Sequence, residues 1–292
     1  MTPPPPPALV SVHGGHSGEF CQHASDSLEA ILEAYAAQGF TWVGITEHMP
    51  PADDRFRYPD EVAAGLDARA LRERFARYIA TGRRLQAAFA GRLTVFVGME
   101  TETYSGAVAY ARELAAAFAP DYLVGSVHHV DDRNFDFSPE AYARAARAVG
   151  GLDALYTRYF DLQLEMIQAL KPAVVGHFDL VRIYDPNYRA RLERPEIWTR
   201  IRRNLACIRD LGLILDFNVR ALVKGAPEPY IAAPILHAAH AMGIALVPGD
   251  DSHGVETVGR HIPRAIAQLQ ALGASTEWAR PVSRGHTSPQ VA

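Results

Sequence analysis

Cysteine is nearly absent from this chain, with only Cys21 and Cys207 among 292 residues. A framework of several disulfides is thereby excluded, and a reducing compartment, the cytoplasm, is favoured. No run of about 18 apolar residues exists, so no membrane span is expected. No basic block stands out and the formal net charge is −4, which disfavours nucleic acid as a partner. The start, Met1-Thr2 followed by five prolines, lacks the basic residues and apolar core of a signal peptide. Neither an internal repeat nor a dividing linker is visible, and nothing in the sequence bears on oligomeric state. The composition, 48% apolar and 21% charged, is that of a folded globular protein.

Residues 1–7 read as a proline-rich tail, 8–274 as one catalytic domain and 275–292 as a polar tail adding little core. Short apolar, β-branched runs at 8–13, 41–47, 93–99, 122–127, 173–176, 213–218 and 244–248 predict strands. Their continuous apolar character is that of parallel strands buried on both faces. Helices are predicted from 28, capped by Ser25-Asp26-Ser27 and stopped by Gly39, and over 67–89, 107–118, 139–148, 152–170, 195–211, 231–242 and 260–271. Segments 49–66, 131–138 and 219–230 read as long loops, and in a βα barrel such loops carry the chemistry.

The 12 histidines are the more informative count. The C-terminal ends of the predicted strands read His13-Gly14-Gly15-His16, Thr46-Glu47-His48, Gly98-Met99-Glu100, Ser126-Val127-His128-His129, Gly176-His177-Phe178-Asp179, Asp216-Phe217-Asn218 and Gly249-Asp250-Asp251-Ser252-His253, with His23 soon after the first. In a closed βα array these ends share one face. Imidazole and carboxylate are ligands for zinc, iron and manganese. The donors exceed what one four-coordinate ion needs, which favours two or three divalent ions. Paired ions are the usual device for phosphoester hydrolysis.

These pieces resemble the PHP (polymerase and histidinol phosphatase) family. The motifs are the first histidine pair, Cys21-Gln22-His23-Ala24, Ile45-Thr46-Glu47-His48, Gly98-Met99-Glu100, Gly125-Ser126-Val127-His128-His129, Gly176-His177-Phe178-Asp179-Leu180 and Asp251-Ser252-His253. They stand in family order over residues 11–253, and the Cys-x-His-Ala and Gly-Ser-Val-His-His pieces are similar to the phosphatase branch. The resemblance implies a distorted seven-stranded (β/α)7 barrel of TIM-barrel type. It implies a first ion on His13, His16, Glu100 and Asp251, a second on Glu100, His128 and His177, and a third on His23, His48 and His253. It also implies hydrolysis of a small phosphorylated amino-alcohol, L-histidinol phosphate, in histidine biosynthesis, by a metal-bridging hydroxide. The alternative is a phosphoesterase of the same fold acting on another small metabolite or a nucleotide. Asp251, His253 and Glu100 are the expected catalytic residues.

Two departures from the family pattern matter. The first pair is His-x-x-His, not His-x-His, so a bulge or turn at Gly14-Gly15 must absorb the extra residue. Thr-Glu-His replaces Thr-Asp-His, which leaves the role of Glu47 open. For the substrate phosphate, Arg158 matches a family position, and Arg220 and Lys224 follow the sixth strand. Glu19 or Glu228 is expected to meet the substrate amine. Glu102 and Asp250 are expected to orient imidazoles. One of His128 and His129 is structural, and His128 is the expected ligand. Cys21 is expected to serve packing, and His237, His240, His261 and His286 stand apart from the strand ends.

Overall fold

The apolar runs form seven parallel strands that pair in chain order: β1 Leu9–Gly14, β2 Phe40–Ile45, β3 Thr94–Glu100, β4 Tyr122–Gly125, β5 Val174–Val175, β6 Ile214–Asn218 and β7 Ala245–Gly249. The protein is described by a computed structural model over residues 6–281. His286, most of the proline-rich tail and the last part of the C-terminal tail lie outside the described residues. The two sheet edges meet just past β1 and β7. Asp251 N donates to His13 O at 2.8 Å, and His16 N to Ser252 O at 2.7 Å. This nearly closed ring of seven strands is the expected (β/α)7 barrel.

Strand alternation sorts the apolar residues into two clusters. Val10, Val12, Trp42, Tyr122, Val124, Val174, Ile214 and Val247 point inward and fill the barrel. Val43, Ile45, Val95, Val97, Val175, Leu215 and Leu246 point outward, against the helices. Long helices cover that outer face at the expected places, including Ala68–Ala88, Ala107–Phe118, Leu152–Leu170 and Pro195–Leu211. The first, Leu28–Ala37, starts where the Ser27 side chain accepts from Ala30 N, and it buries Leu28, Ile31, Leu32 and Tyr35. Among the described residues no helix is long and apolar enough to cross a membrane.

The three expected loops carry short ordered elements. Segment 49–66 contains the 3-10 turn Asp54–Phe56 and the helix Pro59–Ala63. These are too short to show periodicity and are held by local caps, such as Tyr58 N donating to Glu61 at 2.8 Å. In 131–138, Asp131 and Asp132 adopt φ of 46° and 65° and reverse the chain between His129–Val130 and Arg133–Asn134. In 219–230, the helix Arg220–Val223 is followed by Tyr230 pairing back onto Asn218. The expectation that the chain beyond 274 adds little core is corrected at Trp278. Its indole Nε1 donates to Ala8 O at 2.8 Å, and it packs against the inner cluster.

Tyr122 sets the level of the floor inside the barrel. Its hydroxyl donates to Val12 O at 2.7 Å, and its ring occupies the space that side chains at Gly44 and Gly98 would need. A Cβ on Gly44 would fall 1.7 Å from Tyr122 Oη and 2.8 Å from Cζ. Gly44→Ala should therefore lower stability by about 1–3 kcal/mol through overpacking. Adding Tyr122→Phe should recover part of the loss. Denaturant midpoints of the single and double variants check this, and an unchanged Gly44→Ala midpoint refutes it.

Candidate metal centre

The mouth of the barrel, above Tyr122, gathers the strand ends. At β1, register slips by one residue between the pairs Ser11–Val43 and Gly14–Ile45. This is the bulge that the His-x-x-His spacing needs. His13 thereby turns inward directly after inward-facing Val12, and Gly15, at φ +23°, brings His16 to the same centre. Both rings are fully buried.

Glu100, at the end of β3, is the hub. Its Oε2 lies 3.4 Å from His13 Nε2, 3.7 Å from His16 Nε2 and 3.1 Å from His48 Nδ1. Its Oε1 lies 2.9 Å from His177 Nε2 and 3.4 Å from His128 Nε2. Asp251 Oδ1 approaches His16 Nε2 to 3.3 Å and His253 Nδ1 to 3.6 Å. His253 stacks on His16 at 4.4 Å and on His23 at 5.1 Å, between ring centroids. The nine expected ligands therefore share one mouth, with His23 at its exposed rim.

A ring of acceptors orients these imidazoles. Asp216 accepts from His13 Nδ1 at 2.9 Å and from Asn218 at 2.9 Å. Glu102 Oε2 faces His128 Nδ1 at 3.0 Å and His129 Nδ1 at 3.1 Å, while its Oε1 accepts from Tyr58 at 2.8 Å. Glu47 faces His16 Nδ1 at 3.4 Å and is pinned by Ser17 N at 2.8 Å, so this residue has a defined orienting place. Asp60 faces His23 at 3.3 Å. His253 Nδ1 meets the Asp251 carbonyl at 2.9 Å. The carbonyl only accepts, so Nδ1 donates and Nε2 keeps its lone pair.

One expectation about neighbours is corrected. Asp250 touches no imidazole; it binds Ser11, Tyr35 and Gly259 N, and burial pushes its carboxyl up to about 6. Cys21 is buried as expected for packing, and its sulfur also lies within 4.8 Å of ring nitrogens of His16, His48 and His253. Asp216, Tyr58 and Tyr230 were missed as site residues. Asp216 and Asn218 carried a signal, since polar residues at i and i+2 of an apolar strand share its inward face.

Burial works against every charge here; close pairs outweigh it at Glu100, Asp251, His13, His16 and His128, while burial holds His253 and His23 below their ordinary value. His13, His48 and His128 hold Glu100 well below the ordinary carboxylate range, and His13 and His16 do the same for Asp251. In return, Glu100 and Asp251 hold His13 well above its ordinary value. The nearby carboxylates of Asp251 and Glu47 push His16 up to about 9 against its burial. His13 Nε2, His16 Nε2 and both nitrogens of His48 are nonetheless buried without a well-formed hydrogen bond. Such orphans each cost about 1–3 kcal/mol unless something meets them. Anionic carboxylates among unpartnered imidazole nitrogens fit divalent cations.

The mouth opens into a cleft of ≈ 240 Å³. Arg220 and Lys224 line it, as expected, and Arg220 Nε is buried without a partner. Arg158 is a correction, because it lines a different surface depression and its guanidinium is taken up by Asp131 at 2.8 Å and Glu165 at 3.0 Å. Glu19 and Glu228 are also absent from the cleft. Glu19 accepts from Leu28 N at a helix start, and Glu228 accepts from Ala233 N. His237 lines a separate groove, His240 lies on the same helix as His237, and His261 precedes the helix Ile262–Leu272.

The PHP domain profile matches residues 14–220, more than half of the chain. The chain belongs to the PHP domain family. It is 33% identical over 268 residues to a Schizosaccharomyces pombe protein named "Probable histidinol-phosphatase", covering 90% of this chain and 87% of that one. It is 30% identical over 281 residues to the Saccharomyces cerevisiae protein named "Histidinol-phosphatase", covering 85% and 84%. The solved structure of histidinol phosphate phosphatase HisK from Lactococcus lactis, complexed with Zn, L-histidinol and phosphate, superposes with TM-score 0.67 at 17% identity, over 94% of this chain and 97% of that one. That likeness establishes the common fold.

Two measurements probe the centre. Asp216→Asn removes the charge behind His13 and should weaken cation retention about 10–100-fold; metal content after dialysis against graded chelator reads this, and wild-type retention counts against it. Zinc added to metal-free protein in weak buffer at about pH 7.5 should release protons, because raised imidazoles must lose them to ligate. Zinc uptake with no acidification contradicts the protonation described.

Proposed function

We propose that this chain is a cytoplasmic, metal-dependent phosphomonoesterase that hydrolyses L-histidinol phosphate to L-histidinol and phosphate in histidine biosynthesis. The observation that carries the reading is the placement of Glu100. Its two oxygens face separate imidazole sets on the floor of a cleft whose wall carries Arg220 and Lys224. The names of relatives matched over most of their length support the substrate. Free Cys21 and Cys207 suit a reducing compartment.

In this reading His13, His16, Glu100 and Asp251 hold one divalent ion, Glu100 joins His128 and His177 on a second, and His23, His48 and His253 hold a third. Zinc, iron and manganese all suit these donors. When bound, such ions shield the phosphate charge and make hydroxide available near neutral pH. The chain's own residues do the rest. Asp216, Glu102 and Glu47 fix the imidazoles through their far nitrogens. Arg220 and Lys224 bind the phosphoryl oxygens, where charge spreads during transfer. Hydrolysis forms one P–O bond to the water oxygen, breaks the ester P–O bond, and passes a proton to the departing alkoxide. Because His253 Nδ1 already donates to a carbonyl, its Nε2 suits ligation rather than proton donation.

Phosphate release from a panel of monoesters tests the substrate. L-Histidinol phosphate should turn over faster than a generic aryl phosphate, and equal rates reject the specific assignment in favour of a less selective phosphoesterase. His177→Ala should lower kcat/KM by more than the 10–100-fold typical of outer partners. Unaltered turnover in that variant counts against the centre as the site of chemistry.

A further inference from the structure

The cleft holds one charged group that neither the cations nor the phosphate account for. Asp136 lines it together with Arg220 and Lys224. Its carboxylate is held in place, because Asn134 Nδ2 donates to Oδ1 at 2.7 Å while Asn134 Oδ1 accepts from Phe137 N at 3.0 Å. The same Nδ2 lies 3.3 Å from His128 O, which ties this turn to the strand end that carries His128. Among the described residues no arginine, lysine or histidine pairs with Asp136 within 4.0 Å. The other carboxylates lining the cleft, Glu100 and Asp251, are surrounded by imidazoles. Asp136, whose charge reaches Lys224 along the same wall, is therefore a fixed anion with no cationic side chain in direct contact, and it can pair with a cation that arrives with the ligand. Phe137 beside it is 41% exposed, an apolar face at the cleft mouth.

We propose that Asp136 receives the ammonium group of the substrate and selects phosphorylated amino-alcohols over phosphate esters that lack the amine. The inference rests on the reading of the cleft as a site for L-histidinol phosphate. That molecule carries a phosphate dianion at one end and an ammonium on the carbon next to the ester carbon. Arg220, Lys224 and the floor take the first charge, and Asp136 takes the second. A charge-assisted hydrogen bond to a fixed carboxylate favours the aminated ligand. The analogue without the amine leaves that carboxylate unpaired, which is how polar sites discriminate.

Asp136→Asn keeps the shape and the contact to Asn134, and Asp136→Ser removes both. For each, kcat/KM is measured on L-histidinol phosphate and on its des-amino analogue, with metal content and Tm recorded. The ratio between the two substrates should fall about tenfold or more, chiefly through KM. In the wild-type enzyme, L-histidinol should inhibit more strongly than 3-(imidazol-4-yl)propanol, a comparison that needs no variant. Variants that keep the wild-type ratio overturn the role of Asp136 and leave the functional reading standing. A wild-type enzyme indifferent to the amine also overturns it. Failure to prefer L-histidinol phosphate over an aryl phosphate removes the functional reading itself.

Discussion

A buried carboxylate facing five imidazoles is the constraint around which this barrel is organised. Glu100 is almost fully buried and sits within 3.7 Å of ring nitrogens from four different strand ends. Desolvating such an anion costs several kcal/mol unless opposite charge and hydrogen bonds offset it. The offset comes from rings delivered by β1, β2, β4 and β5, so the charge is tolerable only if the barrel closes in the observed register. A slip of one residue in β3 would turn Glu100 outward and leave the imidazoles facing each other. The bulge in β1 follows from the same demand, since without it His13 and His16 cannot both face this oxygen pair.

The barrel divides along its axis. Below the centre lie Val10, Val12, Trp42, Tyr122 and Val174, a packed apolar plug closed from beneath by Trp278. Above it the inward positions switch from apolar to polar or ionisable within one or two residues of each strand end. Gly44 and Gly98 mark the boundary, as they make room for the Tyr122 ring directly beneath Glu100. The stabilising layer and the reactive layer are therefore stacked on the same strands, and the rigidity of the first fixes the distances in the second.

Much of this was legible in the sequence because two strong periodic signals coincide. Uninterrupted β-branched runs mark parallel strands, and histidines or acids recur at the ends of those runs, so strand count, barrel class and ligand convergence follow. The failures have physical reasons. Asp216 reads as one more polar strand end, and its role against His13 appears only when the barrel closes and brings β6 next but one to β1, past Gly249 of β7. Glu47 sits beside His48 in the chain and points to His16, which no local pattern discloses. Arg158 shows the opposite error. The family resemblance places it at the substrate phosphate, but its guanidinium is taken up by Asp131 and Glu165. Trp278 reads as part of a tail because a single aromatic has no periodicity to reveal its docking.

The loops and the strand ends divide the labour differently from the two layers. Strand ends supply the donors, which need fixed positions relative to one another. The loops after β4 and β6 supply Asp136 and the Arg220–Lys224 pair, which need only fixed positions relative to the mouth. The turn through Asn134 satisfies that requirement for Asp136 by anchoring to the His128 carbonyl. Arg182 does so for the other loop. It is buried against Asp179, lies over the ring of Tyr230 at 4.8 Å, and donates to the carbonyl of Glu228. Both loops also meet in the segment after β5, where Tyr184 donates to the Asp136 carbonyl at 3.1 Å and Arg182 to that of Glu228, so the two walls of the cleft are set by one common support.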